Sequence, residues 1–71
     1  MPEFNKAVRH GLKVEMAKAD MTPAELADRS GVSVDAIRRY LRGETVPLLE
    51  TAYKLANALG CTPNDLCGWG R

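Results

Sequence analysis

An all-α domain is the fold class this 71-residue sequence predicts, and three observations predict it. Apolar residues recur at three- and four-residue spacings in one segment after another, the period of helices buried along one face. No stretch alternates apolar and polar residues with the two-residue period of a strand. The segments are punctuated by hydroxyl caps, first-turn prolines and terminal glycines, the start and stop signals of short helices.

The first helix carries Phe4, Val8, Leu12 and Met16 on one line, with Lys6, Arg9, Lys13 and Glu15 off it. Gly11 falls in its middle, where glycine costs about 1 kcal/mol relative to alanine. That predicts a kink, or a helix that begins later than Phe4. Thr22 caps a second helix with Pro23 at its first position and Glu25 at its third, which meets both the capping box and the preference for proline at N1. Leu26, Ala27 and Ser30 fall on its inner face, and Glu25, Asp28 and Arg29 largely on the other.

Gly31 suits a left-handed turn because it lacks a Cβ, and Val32 drops back toward the core. Ser33 caps a third helix, with Asp35 near the positive end of its dipole. This helix is expected to run to Arg42 before Gly43 ends it. Its buried stripe is Ile37, Tyr40 and Leu41, and its open face carries Val34, Asp35, Arg38, Arg39 and Arg42. Residues 44–47 read as a linker. Leu49, Ala52, Leu55, Ala56 and Leu59 form the apolar line of a fourth helix stopped by Gly60, and Thr62-Pro63-Asn64-Asp65 repeats the earlier cap logic to start a short fifth helix containing Leu66.

Residues 22–43 thus read as two short helices hinged at Ser30-Gly31-Val32, the layout of a helix-turn-helix. The small Ala27 fits a close crossing of the two helices. The run T-P-A-E-L-A, then S-G-V-S, A-I-R-R-Y-L-R-G and P-L-L-E-T-A-Y-K-L-A-N-A-L-G-C-T-P-N-D-L, resembles the XRE-like repressor and Cro family of phage and bacterial regulators, from about Leu12 to Leu66. The resemblance implies a compact five-helix lambda-repressor-like domain that binds double-stranded DNA. Two positions depart from the family pattern. Met16 and Leu41 stand where many members have a partly buried arginine–glutamate pair; exchanging both for packed hydrophobes is often neutral or stabilising, whereas losing one partner is not. Pro23 replaces a phosphate-contacting glutamine, leaving backbone amides at the helix start to serve.

The chain is expected to be a single domain over residues 1–71, with a short tail at 67–71, closer to a Cro protein or small immunity repressor than to regulators with a separate sensor domain. A core of this size gives a stability of about 3–5 kcal/mol. Net charge is only +1, but its distribution is uneven. Up to Gly43 there are eight Lys/Arg against six Asp/Glu, and from Glu44 onward two against three. Three arginines within five residues of one helix supply the local clustering that phosphate contact requires. Outside this motif, such a cluster reads as an ordinary solvated face.

Other functional classes find little support. Cys61 and Cys67 match no zinc spacing, and with only His10 to add, a tetrahedral site lacks ligands. Cys61 reads as a small core residue, and a disulfide is not expected of an intracellular regulator. His10 has no acidic or nucleophilic neighbour at a catalytic spacing, and no glycine-rich phosphate loop is present, so an enzyme is not implied. No cofactor or small-molecule ligand is implied either. Without a signal peptide or an apolar run long enough to span a bilayer, the expected location is the cytoplasm or nucleoid of a bacterial host.

The expected mechanism is readout of the major groove by the third helix. Its first turn and next exposed positions, Val34, Asp35 and Arg38 or Arg39, reach base edges in such helices. The family's base-contacting positions carry over to Val34, Asp35 and Arg39, with Arg39 the candidate for a bidentate contact to guanine worth about 1–3 kcal/mol. Val34 suits a thymine methyl. Asp35 suits cytosine, or orients Arg38 or Arg39. Ser33, Arg42, Arg29 and Lys13 are candidates for phosphate contacts that set register. One such domain reads few base pairs, so a homodimer on a palindromic operator is expected, with half-sites about one helical turn apart. Leu66 and Trp69 are the candidate dimer contacts, Trp69 otherwise covering its own core. The alternative is an antitoxin or protein-interaction module on the same fold. An activator or excision factor on the same fold is the second alternative.

Overall fold

The structure, a computed structural model, describes residues 3–67. It contains α1 (Glu3–Ala19), α2 (Pro23–Ser30), α3 (Val34–Leu41), α4 (Leu49–Leu59) and α5 (Pro63–Cys67), and no strand among the described residues. α1 packs on α5 and α3 and touches α4, α2 packs on α3 and α4, and α4 packs on α5. The all-α, five-helix class and the order of its elements are as the periodicity and caps required.

The core is drawn from every helix: Leu12 and Met16 of α1, Leu26 of α2, Ile37 and Tyr40 of α3, Leu55 and Ala56 of α4, and Leu66 of α5. Burial of these side chains supplies the main folding drive, about 1.5–3 kcal/mol for each large one. Met16 is buried and Leu41 is half-buried against the same cluster. The apolar exchange at these two positions is therefore accommodated by packing.

α1 differs from expectation in a revealing way. It runs unbroken from Glu3 to Ala19 through Gly11. Gly11 is buried against α5, and a Cβ placed there would lie 2.0 Å from the Leu66 carbonyl oxygen and 2.7 Å from its carbon. The glycine lets α5 approach the α1 backbone; it does not break the helix. Glu15, off the apolar line, is nonetheless buried and pairs with Lys18 at 3.4 Å.

Two further expectations are corrected. Leu49 lies on the apolar line of α4 but is 82% exposed, at the first residue of the helix on the rim of a cleft that Phe4, Val8 and Pro63 also line. Leu66 is 2% exposed and part of the core, so its side chain is not available as a dimer contact in the folded protomer. Trp69, the other candidate, lies outside the described residues. No described helix is long and apolar enough to cross a membrane.

Candidate nucleic-acid interface

The local geometry of α2 and α3 follows from their caps. The Glu25 amide donates to Thr22 Oγ1 at 3.2 Å, while the Thr22 amide donates to Glu25 Oε1 at 3.1 Å, a complete capping box. The Thr22 amide bond to the carboxylate, with the Thr22 hydroxyl beside it and Arg29 one turn on, holds the Glu25 carboxyl below its ordinary pKa. At the other end of α2, Gly31 adopts φ 76° and its amide donates to the Ala27 carbonyl at 3.0 Å. The Ser30 hydroxyl donates to the Leu26 carbonyl at 2.6 Å and accepts from the Val32 amide at 3.2 Å. The hinge is thus hydrogen-bonded on both sides, which fixes the angle at which α3 leaves α2.

α3 opens with the Ala36 amide donating to the Ser33 hydroxyl at 3.2 Å. Its last helical residue is Leu41, with Arg42 at the C-cap, one residue short of the expected end. Gly43, at φ 75°, donates to the Tyr40 carbonyl and Glu44 to the Arg39 carbonyl, both at 3.0 Å. This pair of bonds is a Schellman turn. The carboxamide of Asn5 in α1 also donates to the buried Gly43 carbonyl at 3.1 Å. α3 is therefore fastened at its far end to the first helix, a tie across 38 residues that no local pattern reveals.

Ile37 and Tyr40 point α3 into the core, so the opposite arc of the helix is fixed by its 3.6-residue period. Asp35, Arg38, Arg39 and Arg42 occupy that arc and are all exposed. Val34, expected on the open face, is half-buried at its edge. Arg42 Nε donates to Glu44 Oε2, an ion pair that raises the guanidinium pKa above its ordinary value and lowers that of the carboxyl. Asp35 adds to the first shift and Arg39 to the second. Asp35, Arg39, Arg42 and Glu44 thus share one electrostatic neighbourhood. Glu44 is the member that sequence reasoning left in a linker; it is turned back by the left-handed Gly43. Ser33 is exposed with its hydroxyl oxygen engaged as acceptor, which leaves its O–H free to donate. Arg29 is exposed at the end of α2 and Lys13 is exposed on α1.

Two capped helices joined by a rigid left-handed turn, the second offering a basic arc to solvent, define a helix-turn-helix domain. The family model described as helix-turn-helix matches residues 12–66, and the chain belongs to that family. Among curated proteins it is similar to the cryptic phage CTXphi transcriptional repressor RstR of Vibrio cholerae serotype O1, at 31% identity over 61 residues, covering 86% of this chain and 54% of that protein. It is also similar to part of the replication factor C small subunit of Methanocaldococcus jannaschii, at 30% identity over 60 residues, covering 84% of this chain and 3% of that protein. The chain therefore spans about half the length of the first relative and a small fraction of the second. No solved structure matches it.

Among the described residues no group of histidine, cysteine, aspartate and glutamate side chains is arranged to hold a metal ion. Burial, with Glu15 and Asp65 nearby, pushes the Cys61 thiol up to about 11.

Proposed function

We propose that this chain is a sequence-specific, double-stranded-DNA-binding transcriptional regulator of the small phage or bacterial repressor type, acting in the cytoplasm. The observation that carries this reading is the arc of α3: Asp35, Arg38, Arg39 and Arg42 exposed together on a short helix whose two ends are fixed by hydrogen bonds. A rigid basic helix carried on a helix-turn-helix suits entry into the major groove. Similarity over most of this chain to a phage transcriptional repressor supports the same reading.

In this mechanism Arg39 reads guanine and Val34, at the helix edge, meets a thymine methyl. Asp35, one turn before Arg39, accepts from cytosine or orients the arginine. Arg38 is the remaining base-contact candidate. Ser33 donates its hydroxyl proton to phosphate, joined by Arg42, Arg29 and Lys13, which set register. Arg42 exchanges Glu44 for a phosphate oxygen on binding. Two copies on a palindromic operator give the specificity that one short helix cannot.

The test is a gel shift on an operator found by selection from intergenic DNA, titrated with salt. Arg39→Ala should abolish discrimination at one base pair, a loss of about 1–3 kcal/mol, while Arg42→Ala weakens all sequences alike and flattens the salt slope by about one unit. Unchanged sequence preference in Arg39→Ala refutes the proposed readout.

A further inference from the structure

Asn5 lies in the first turn of α1, ahead of residues 12–66 that the family model matches, yet it reaches the far end of α3. Its carboxamide Nδ2 donates to the Gly43 carbonyl oxygen at 3.1 Å, with Asn5 half-buried and Gly43 buried. The Gly43 amide donates to the Tyr40 carbonyl at 3.0 Å. One polar group of Gly43 thus belongs to the local turn and the other to α1. We infer that Asn5 is a positioning residue for DNA binding: by holding the Gly43 carbonyl it fixes the turn that places Arg42 and Glu44, and with it the spot at which Arg42 meets phosphate. The inference rests on the DNA-binding reading of α3 and adds to it a residue outside the helix-turn-helix.

The need for a clamp follows from where the glycine sits. α3 is eight residues long and ends at Leu41, with Arg42 at its C-cap. The last carbonyls of a helix have no partner within it, and helix ends fray. Gly43 follows directly, at φ 75°, and glycine has more conformational freedom to lose than any other residue. Arg42 stands immediately before that pivot and Glu44 immediately after it. A rotation at Gly43 therefore moves the guanidinium and its carboxylate partner relative to each other and to Arg39. The Schellman turn resists it with bonds to the end of α3 itself, from Gly43 to Tyr40 and from Glu44 to Arg39. The bond from Asn5 comes from a separate helix, so it holds the turn to the body of the domain.

The residue type fits donation. An acidic residue suits the first turn of a helix better than asparagine does. Aspartate here would have the same shape, but an ionised carboxylate only accepts and would face the Gly43 carbonyl oxygen. Asparagine is neutral and donates. A preset turn lets Arg42 meet phosphate without first ordering the backbone beneath it, and an ordering cost of that kind corresponds to about 3–10-fold in affinity.

Binding of the full chain to the operator duplex selected with the wild type, titrated with salt at a temperature where circular dichroism shows every variant folded, tests this role. Asn5→Ala leaves every charge in place, so it should weaken binding about 3–10-fold with the salt slope unchanged. Asn5→Asp should weaken it at least as much while keeping the helix content. In an Arg42→Ala background, Asn5→Ala should cost less than about twofold, because the residue it positions is gone. A purely structural role would cost the same factor in both backgrounds, and that result overturns the inference. So does an Asn5→Ala or Asn5→Asp protein that binds as tightly as the wild type.

Amide hydrogen exchange without DNA reads the clamp separately. Asn5→Ala should speed exchange of the Gly43 and Glu44 amides at least about tenfold relative to the Ala36 and Ile37 amides at the start of α3. Unchanged exchange overturns the clamp whatever the chain binds. A wild type that binds no duplex overturns the DNA reading itself and the part of Asn5 in it, whereas failure confined to the variants overturns only the part given to Asn5.

Discussion

Gly11→Ala separates local from tertiary reasoning by the sign of its effect. Within α1 alone, alanine is favoured over glycine by about 1 kcal/mol, so helix propensity demands a more stable protein. The packing of α5 demands the opposite. The new methyl would sit 2.0 Å from the Leu66 carbonyl oxygen, 2.7 Å from the Leu66 carbonyl carbon and 3.1 Å from the Asp65 carbonyl oxygen. All three are backbone atoms, so no rotamer change relieves the clash. α5 has to retreat by about 1 Å or more to restore ordinary contact, and gaps of that size forfeit about a quarter to a half of the dispersion energy of the atoms involved.

Leu66 is the residue that suffers, since it is 2% exposed and anchors α5 in the core. Overpacking of this kind costs about 1–3 kcal/mol, and partial loss of a buried leucine's packing adds a comparable amount. After the helix gain of about 1 kcal/mol is subtracted, a net loss of about 1–5 kcal/mol remains, centred near about 3 kcal/mol. For a domain of this size the central value lowers Tm by roughly 10–25 °C. Circular dichroism during thermal and urea unfolding of the two proteins measures it. A Gly11→Ala protein as stable as the wild type, or more stable, would refute the close approach of α5 as the reason for the glycine.

Glu44→Gln should strengthen DNA binding several-fold at low salt and steepen the salt dependence by about one unit, because Arg42 no longer exchanges a carboxylate for phosphate; gel shifts across a salt series read both, and weaker binding would show that Glu44 assists the contact. Cys61 should alkylate at pH 8 at least about a hundredfold more slowly than an ordinary cysteine in a Cys67→Ser background, since its thiol is raised to about 11. The linkage follows the same sign. The unfolded chain ionises its thiol near pH 9 and the folded chain near 11, so this group leaves stability untouched below pH 9 and lowers it as pH rises from 9 to 11.

The caps of α2, α3 and α5 were legible in full because each depends on residues three positions apart: Thr22 with Glu25, Ser33 with the Ala36 amide, Thr62 with Asp65. Gly31 at φ 76° and the arc of Asp35, Arg38, Arg39 and Arg42 were legible for the same reason, since helical period and a missing Cβ are local properties. Val34 moved from open face to half-buried because its exposure depends on neighbours as well as on period. Glu44 escaped notice because a linker and a Schellman turn use the same residues; the left-handed Gly43, already identified as a helix stop, was the available signal.

The sequence by itself determined where helices start and stop, that two of them form a helix-turn-helix, and that the second carries a basic face. Those outcomes are set by hydrogen bonds and spacings within one or two turns of chain. Only the tertiary structure decided that Gly11 is a contact surface for α5, that Asn5 holds the Gly43 carbonyl, that Leu66 belongs to the core and that Leu49 stands in solvent. Each of these is a question of which element arrives beside a residue from elsewhere in the chain. Periodicity tells a helix which face to bury, but the length and position of its neighbours decide how far along that face burial extends.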